Sequence, residues 1–221
     1  MVKRKKYKAL ICDIDGTLII NSREALPSKN VVHAIKKASK IVHIGIATSR
    51  PLFVTQHLIE LNHRRIGCIT GPSNLTPSAD RIIGYRRALE QANLSVDESL
   101  IIPGDFHIES GYAATLRLLN LPDPPTAIFA FNDLMAVGAM HAASQAGVEV
   151  PRDLSIVGFD DIELASYVTP ALTTVKQPTM EMGKKAVQLL IERIEDKDIP
   201  TRCHISPTEL IIRDSSGQNH E

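Results

Sequence analysis

Two carboxylates two residues apart, Asp13 and Asp15, close the apolar run Ala9-Leu10-Ile11-Cys12 and are followed by Gly16-Thr17. In an extended strand, side chains alternate, so Asp13 and Asp15 point the same way off the strand end. Gly16 lets the backbone turn there, and the Thr17 hydroxyl can hydrogen-bond the turn. Such a pair suits phosphoryl transfer, with one Asp attacking phosphorus, the other carrying a proton, and both contributing to a Mg²⁺ site. Two neighbouring carboxylates also repel, and without further ligands they hold Mg²⁺ weakly. The eight histidines show no metal spacing.

The elements that must position these residues alternate along the chain. Short apolar runs near 7–12, 41–47, 66–70, 99–102, 126–131, 154–159, 171–176 and 205–212 read as strands. Amphipathic stretches near 28–39, 52–62, 77–93, 109–120, 133–146 and 179–195 read as helices. Continuous rather than alternating apolar strands predict parallel sheets covered by helices on both faces. Thr76-Pro77 reads as an N-cap with an N1 proline, Asn132 or Asp133 as the cap of a later helix, and Gly147 as its stop. At 221 residues and 43% hydrophobic, the chain can bury one large domain or two small lobes. A formal net charge of +0 recommends neither nucleic acid nor membrane. Three cysteines without C-x-x-C spacing read as reduced thiols in a cytoplasmic protein.

Residues from about 5 to 53 resemble the haloacid-dehalogenase-like (HAD) phosphatases. Asp13-Ile14-Asp15-Gly16-Thr17 is similar to that family's first motif, and Ile44-Gly45-Ile46-Ala47-Thr48-Ser49-Arg50-Pro51 to its second. The resemblance implies catalysis by Asp13 and Asp15, phosphoryl binding by Thr48, and Mg²⁺ as cofactor only if this half is active; otherwise no cofactor is expected. The family's third-motif cation and later acidic pair are not found, which leaves the metal site of Asp13 and Asp15 incomplete.

From about 54 onward the chain resembles the effector domain of lac-repressor (LacI/GalR) regulators. The similarity runs from His57-Leu58-Ile59-Glu60-Leu61-Asn62-His63-Arg64-Arg65-Ile66-Gly67 through Gly71-Pro72, Arg81, Gly84-Tyr85, Gly104-Asp105-Phe106 and Asn132-Asp133-Leu134-Met135-Ala136-Val137-Gly138. It goes on through Gly158-Phe159-Asp160-Asp161, Leu172-Thr173-Thr174-Val175 and Glu209-Leu210-Ile211-Ile212-Arg213. The resemblance implies ligand contacts from Arg81, Phe106, Asn132 and Asp160, with Arg and Asp giving charged hydrogen bonds to a polyol and Phe106 stacking an apolar ring face. Asn132 and Asp133 serve equally as helix caps, Asp160 as a strand-end turn, Arg81 as a solvated helix residue and Phe106 as core.

The two resemblances together imply an α/β fold in which a periplasmic-binding-protein-like lobe joins a HAD/Rossmann-like half. Residues 1–62 plus 177–200 would form the small lobe, 63–176 plus 201–214 the second lobe with a five-stranded sheet, and 215–221 a tail. The expected reading is a non-enzymatic, designed chimera spliced near 52–62, with a vestigial sugar-binding lobe. Two alternatives stand beside it, a repressor-type sugar sensor and a weak Mg²⁺-dependent phosphatase. Expected partners are a weakly bound small sugar or purine-like ligand and a second copy of the chain. DNA is not expected, because a helix-turn-helix is absent, and no run reaches the length of a membrane span.

Overall fold

A computed structural model describes residues 47–48, 52–195 and 204–220. Asp13, Asp15 and the helix expected at 28–39 lie outside the described residues, as does the strand expected at 41–47 up to Ala47. The chain divides into two compact units, Met1–Ala47 with Pro178–Ser206, and Thr48–Gln177 with Pro207–Glu221. In order, the elements are β1 (Ala47–Thr48), α1 (Leu52–Glu60), β2 (Ile66–Thr70), α2 (Thr76–Gln91), β3 (Ile101–Pro103), α3 (Ile108–Leu119) and β4 (Ala127–Ala130). They continue as α4 (Asp133–Gln145), β5 (Ser155–Val157), β6 (Thr174–Lys176), α5 (Thr179–Glu195), β7 (Ile205–Ser206) and β8 (Glu209–Ile211). The smaller unit contributes α5 and β7 to the described residues.

In the larger unit β2 to β5 form a parallel sheet in the order β3-β2-β4-β5. Its register sets Cys68 of β2 between Ile101 of β3 and Phe129 of β4. All four residues of β4 and the first four of β2 are buried, which is why these strands read as continuous apolar runs. The fifth strand departs from expectation. After Val157 the backbone turns through Asp160 and Asp161, both at positive φ, and only the isolated bridges Val157↔Thr173 and Asp160↔Lys176 join it to β5. The other edge of β6 pairs antiparallel with β8, Val175 opposite Leu210.

Helix α1 belongs to this unit, since Val54 and Leu58 are fully buried in its core, so the boundary lies ahead of α1 and not near 62–63. Thr76 does not cap α2; the N-cap is Leu75, which supplies no side-chain hydrogen bond. Gly147 does follow the end of α4, at φ 74°. Two glycines set the crossing of α3 and α4. A Cβ on Gly111 would overlap the Met135 backbone, and one on Gly138 would overlap Ile108 O, so only glycine lets these backbones touch.

The stretch from 215 onward is no loose tail. Ser215 Oγ accepts from Thr173 N at 2.8 Å and donates to Ile156 O at 2.6 Å. Buried His63 sits under it, with Nδ1 2.9 Å from Thr126 Oγ1 and Nε2 3.0 Å from Ser155 Oγ and 3.1 Å from Gly217 O. A carbonyl only accepts, so Nε2 carries the proton and Nδ1 accepts from the Thr126 hydroxyl. The histidines given no role from sequence thus include one that ties the chain end to the amino edge of the sheet. Among the described residues no helix is long and apolar enough to cross a membrane.

Candidate ligand-binding site

Parallel βα units put every loop that follows a strand on one edge of the sheet. Phe106 lies in the loop after β3, Asn132 after β4 and Asp160 after β5, while Arg81 stands in the second turn of α2, the helix that follows β2. Because β3 and β4 flank β2 on opposite sides, the crevice opens beside β2 and β4, where the winding reverses. The structure brings all four expected ligand residues to this edge.

Arg81 is 4% exposed. Its Nη1 donates to Phe131 O, Nη2 lies 3.6 Å from Asp160 Oδ1, and Cζ sits 3.8 Å from the Phe159 ring centroid. It is therefore not a solvated helix residue: a buried guanidinium demands such partners. Burial pulls its pKa down, and Asp160 and Asp133 oppose that pull.

Asp160 holds φ 127° and its N donates to Val175 O at 2.9 Å. Oδ1 accepts from Gln177 Nε2 at 2.7 Å. Burial pushes its pKa up to about 6 against the pull of Arg81, and the Asp133 charge adds to the rise. Asp133, read from sequence only as a cap, is fully buried. It accepts from Thr174 Oγ1 at 2.5 Å and from Ile162 N at 2.9 Å, which fixes the loop that carries Asp160. Burial raises the Asp133 pKa as well. Arg213 completes the frame, its Nη2 donating to Asp161 Oδ1 at 2.6 Å and its Nη1 to Leu172 O at 2.8 Å.

Asn132 caps α4, its Oδ1 accepting from Met135 N at 2.9 Å. Its Nδ2 donates to Phe106 O at 2.9 Å, so the same side chain holds the turn at Phe106, whose φ is 72°. The half-buried Phe106 ring lies over Gly71, where a Cβ would overlap it. Of the expected phosphatase residues, Asp13 and Asp15 fall outside the described residues, and Thr48 is placed as the second residue of β1. The sequence reading missed Asp133, Gln177 and Phe131 as parts of the site. Gly158 was a usable signal, since a Cβ there would strike Asp133 Oδ1.

The sequence model of the periplasmic binding protein-like domain matches residues 55–216. The chain belongs to that family. A second model, the haloacid dehalogenase-like hydrolase, matches residues 10–91. Among curated relatives, the HTH-type transcriptional repressor PurR of Aliivibrio salmonicida is 44% identical over 161 residues, covering 73% of this chain and 48% of its own. The HTH-type transcriptional repressor CytR of Escherichia coli (strain K12) is 36% identical over 214 residues, 92% of this chain and 63% of its own. This chain thus spans about half to two thirds of the relatives it matches. Among solved structures, a LacI-family regulatory protein from Chloroflexus aggregans superposes with TM-score 0.72 at 32% identity, over 86% of this chain and 73% of its own. A sugar-binding LacI-family regulator from Escherichia coli, complexed with phosphate, gives TM-score 0.71 at 34% identity, over 77% and 61%.

One expectation changes with these matches. The exclusion of DNA is overturned: the curated relatives are HTH-type repressors, and a chain spanning part of their length says nothing about a DNA-binding segment. The CytR alignment covers 92% of this chain and so extends across the splice expected at 52–62, where the haloacid dehalogenase-like model, matching residues 10–91, extends as well.

Proposed function

We propose that this periplasmic binding protein-like lobe is the sugar-binding effector part of a LacI-type transcriptional regulator working in the cytoplasm. The observation that carries the reading is the Arg81–Asp160 pair at the switch point, with Asn132 and the Phe106 ring on the same edge. Polyols are recognised by charged groups that donate and accept beside an apolar ring face, and this edge supplies all three. The solved regulator described as sugar-binding shares the fold. Calorimetric titration with a panel of mono- and disaccharides tests it. Wild type should bind at least one sugar, and Asp160→Ala should weaken that binding about tenfold or more. A panel that gives no heat and no thermal shift sinks the reading.

The haloacid dehalogenase-like match favours a second reading for residues 10–91, phosphoryl transfer with Asp13 as nucleophile and Asp15 as proton carrier. Mg²⁺-dependent hydrolysis of p-nitrophenyl phosphate that disappears in Asp13→Asn would carry it. Turnover equal in wild type and Asp13→Asn would remove it.

A further inference from the structure

Two buried imidazoles, His57 on α1 and His63 just after it, grip adjacent residues of one segment, 214–219. His63 Nε2–H donates to Gly217 O at 3.1 Å, and Gly217 N donates to Ser155 Oγ at 3.0 Å. His57 Nε2 lies 3.2 Å from Ser216 Oγ, which lies 2.9 Å from Thr173 Oγ1. Thr173 gives its one hydroxyl proton to Arg213 O at 3.2 Å. Ser216 therefore donates to Thr173 and accepts from His57 Nε2–H. Both rings make these bonds in their neutral form.

The segment they hold fills the join between β5 and the chain entering β6. Ile156 N donates to Ser215 O at 2.7 Å, while Ser215 Oγ donates to Ile156 O and accepts from Thr173 N. At the far end, Asn219 N donates to Leu61 O at 2.8 Å, and Asn62 Nδ2 to Asn219 O at 3.3 Å. Direct pairing of β5 with the chain around Thr173 is otherwise the isolated bridge Val157↔Thr173.

Charging the rings works against this arrangement. Burial disfavours a proton on both; Glu60 opposes that on His57, while His57 and Arg64 add to it on His63. A proton on His63 Nδ1 also turns an acceptor into a donor that faces the Thr126 hydroxyl. Charge on one ring repels charge on the other, and release of the segment to water relieves both. Strands β2 and β4 contain no histidine. Asp160 titrates in the same range, but its proton adds stability as pH falls, so it does not drive an opening.

We infer that segment 214–219 is an acid-released clasp: protonation of His57 and His63 frees it from α1 and from β5 while the parallel sheet stays folded. The grip is present above pH ~6.5 and is lost as pH falls below that. The inference is independent of the sugar-binding reading.

Amide exchange at pH 7.5, 6.5 and 5.5, corrected for the intrinsic rate, tests it. Protection of Ile156, Thr173, Gly217 and Asn219 should fall together by about tenfold between pH 6.5 and 5.5. At pH 5.5 these four should exchange through a small opening that low urea barely affects, whereas exchange of Phe131 N, bonded to Ile69 O in the sheet, should be slower and rise steeply with urea. A His57→Gln/His63→Gln double variant keeps an amide donor at each position, and its four amides should lose the pH dependence. Protection that is flat with pH in wild type overturns the inference. So does exchange of all five amides with one urea slope, which would be global unfolding. Wild-type pH dependence surviving in the double variant overturns it too, since exposed His220 or Asp214 would then carry the proton. Should the double variant not fold, the wild-type rings decide by NMR titration. His57 and His63 should titrate below 6.5, with the four amides shifting at the same midpoint. Rings that titrate at or above 6.5, or amides that do not follow them, refute the clasp.

Discussion

The Asp160 carboxyl gives the sharpest quantitative expectation. Its folded pKa of about 6 stands above the roughly 3.9 of an unfolded Asp, because burial disfavours the charge more than Arg81 favours it. The folded state therefore holds a proton at pH 5 that the unfolded chain has released. This contribution to stability is fully present below pH ~4 and is lost as pH rises through 6. Acidifying from pH 7.5 to 5 should add about 1.4 kcal/mol by linkage. The side chain is 33% exposed, so solvent screening reduces the expected gain to about 1 kcal/mol. Asp160→Asn removes the titration, and Asn tolerates the positive φ at this position. Urea unfolding of both proteins at pH 5, 6 and 7.5 isolates the effect, because the other titrating groups cancel in the difference. Wild type should gain on the variant as pH falls, with the midpoint near 6. Sugar binding should run the other way, weakening below pH 6, since only the ionised carboxylate accepts from two hydroxyls at once. A stability difference that is flat with pH, or that grows toward alkaline pH, refutes the account of the Arg81–Asp160 pair.

Three further outcomes follow from the frame around the site. His63→Leu strands Thr126, Ser155 and Gly217, and should cost about 2–4 kcal/mol in urea unfolding, with faster amide exchange at Gly217 and Asn219, which bond Ser155 Oγ and Leu61 O. In wild type, burial lowers the His63 pKa, so its contribution is present above pH ~6.5 and is lost as pH falls below that; His63→Leu should flatten this acid limb. Gly138→Ala drives a methyl into Ile108 O at the α3–α4 crossing and should lower stability by about 1–3 kcal/mol, read as a fall in melting temperature. Tyr85→Phe removes the bond from the buried hydroxyl to Ile66 O at 2.7 Å and should cost about 1–2 kcal/mol by the same measurement, with sugar affinity unchanged.

Period and composition made the βα alternation readable, because strands buried on both faces leave unbroken apolar runs and helices on a sheet leave stripes. The runs at 66–70 and 126–131 correspond to β2 and β4, and the stretch at 179–195 to α5. Tertiary terms decided what local pattern could not. Nothing near Val54 and Leu58 says which lobe's core receives them, and the position of α1 depends on that. The turn of Asp160 and Asp161 away from β5 depends on Thr174 and Arg213, residues distant in sequence. The four expected ligand positions were legible only through a family resemblance, since an Arg on a helix and an Asp after a strand are ordinary in isolation.

What the fold adds is the pattern of constraint around those four positions. Asn132 spends its oxygen on the α4 cap and its amide on the Phe106 carbonyl, so in the proposed site its part is to fix where the ring stands. Asp133 does the same for the Asp160 loop from a fully buried position, by holding Ile162 N and the Thr174 hydroxyl. Arg81 is locked at Phe131 and Asp160, and among the described residues its Nε has no hydrogen-bond partner. A frame so largely satisfied from within costs little further ordering when a ligand arrives, which is the condition for a small polar ligand to be held at useful affinity. It also separates two kinds of substitution. Changes at Asn132 or Asp133 should disturb stability and binding together, because they release loops. Changes at Tyr85, whose hydroxyl donates to Ile66 O, should alter stability and leave binding unchanged.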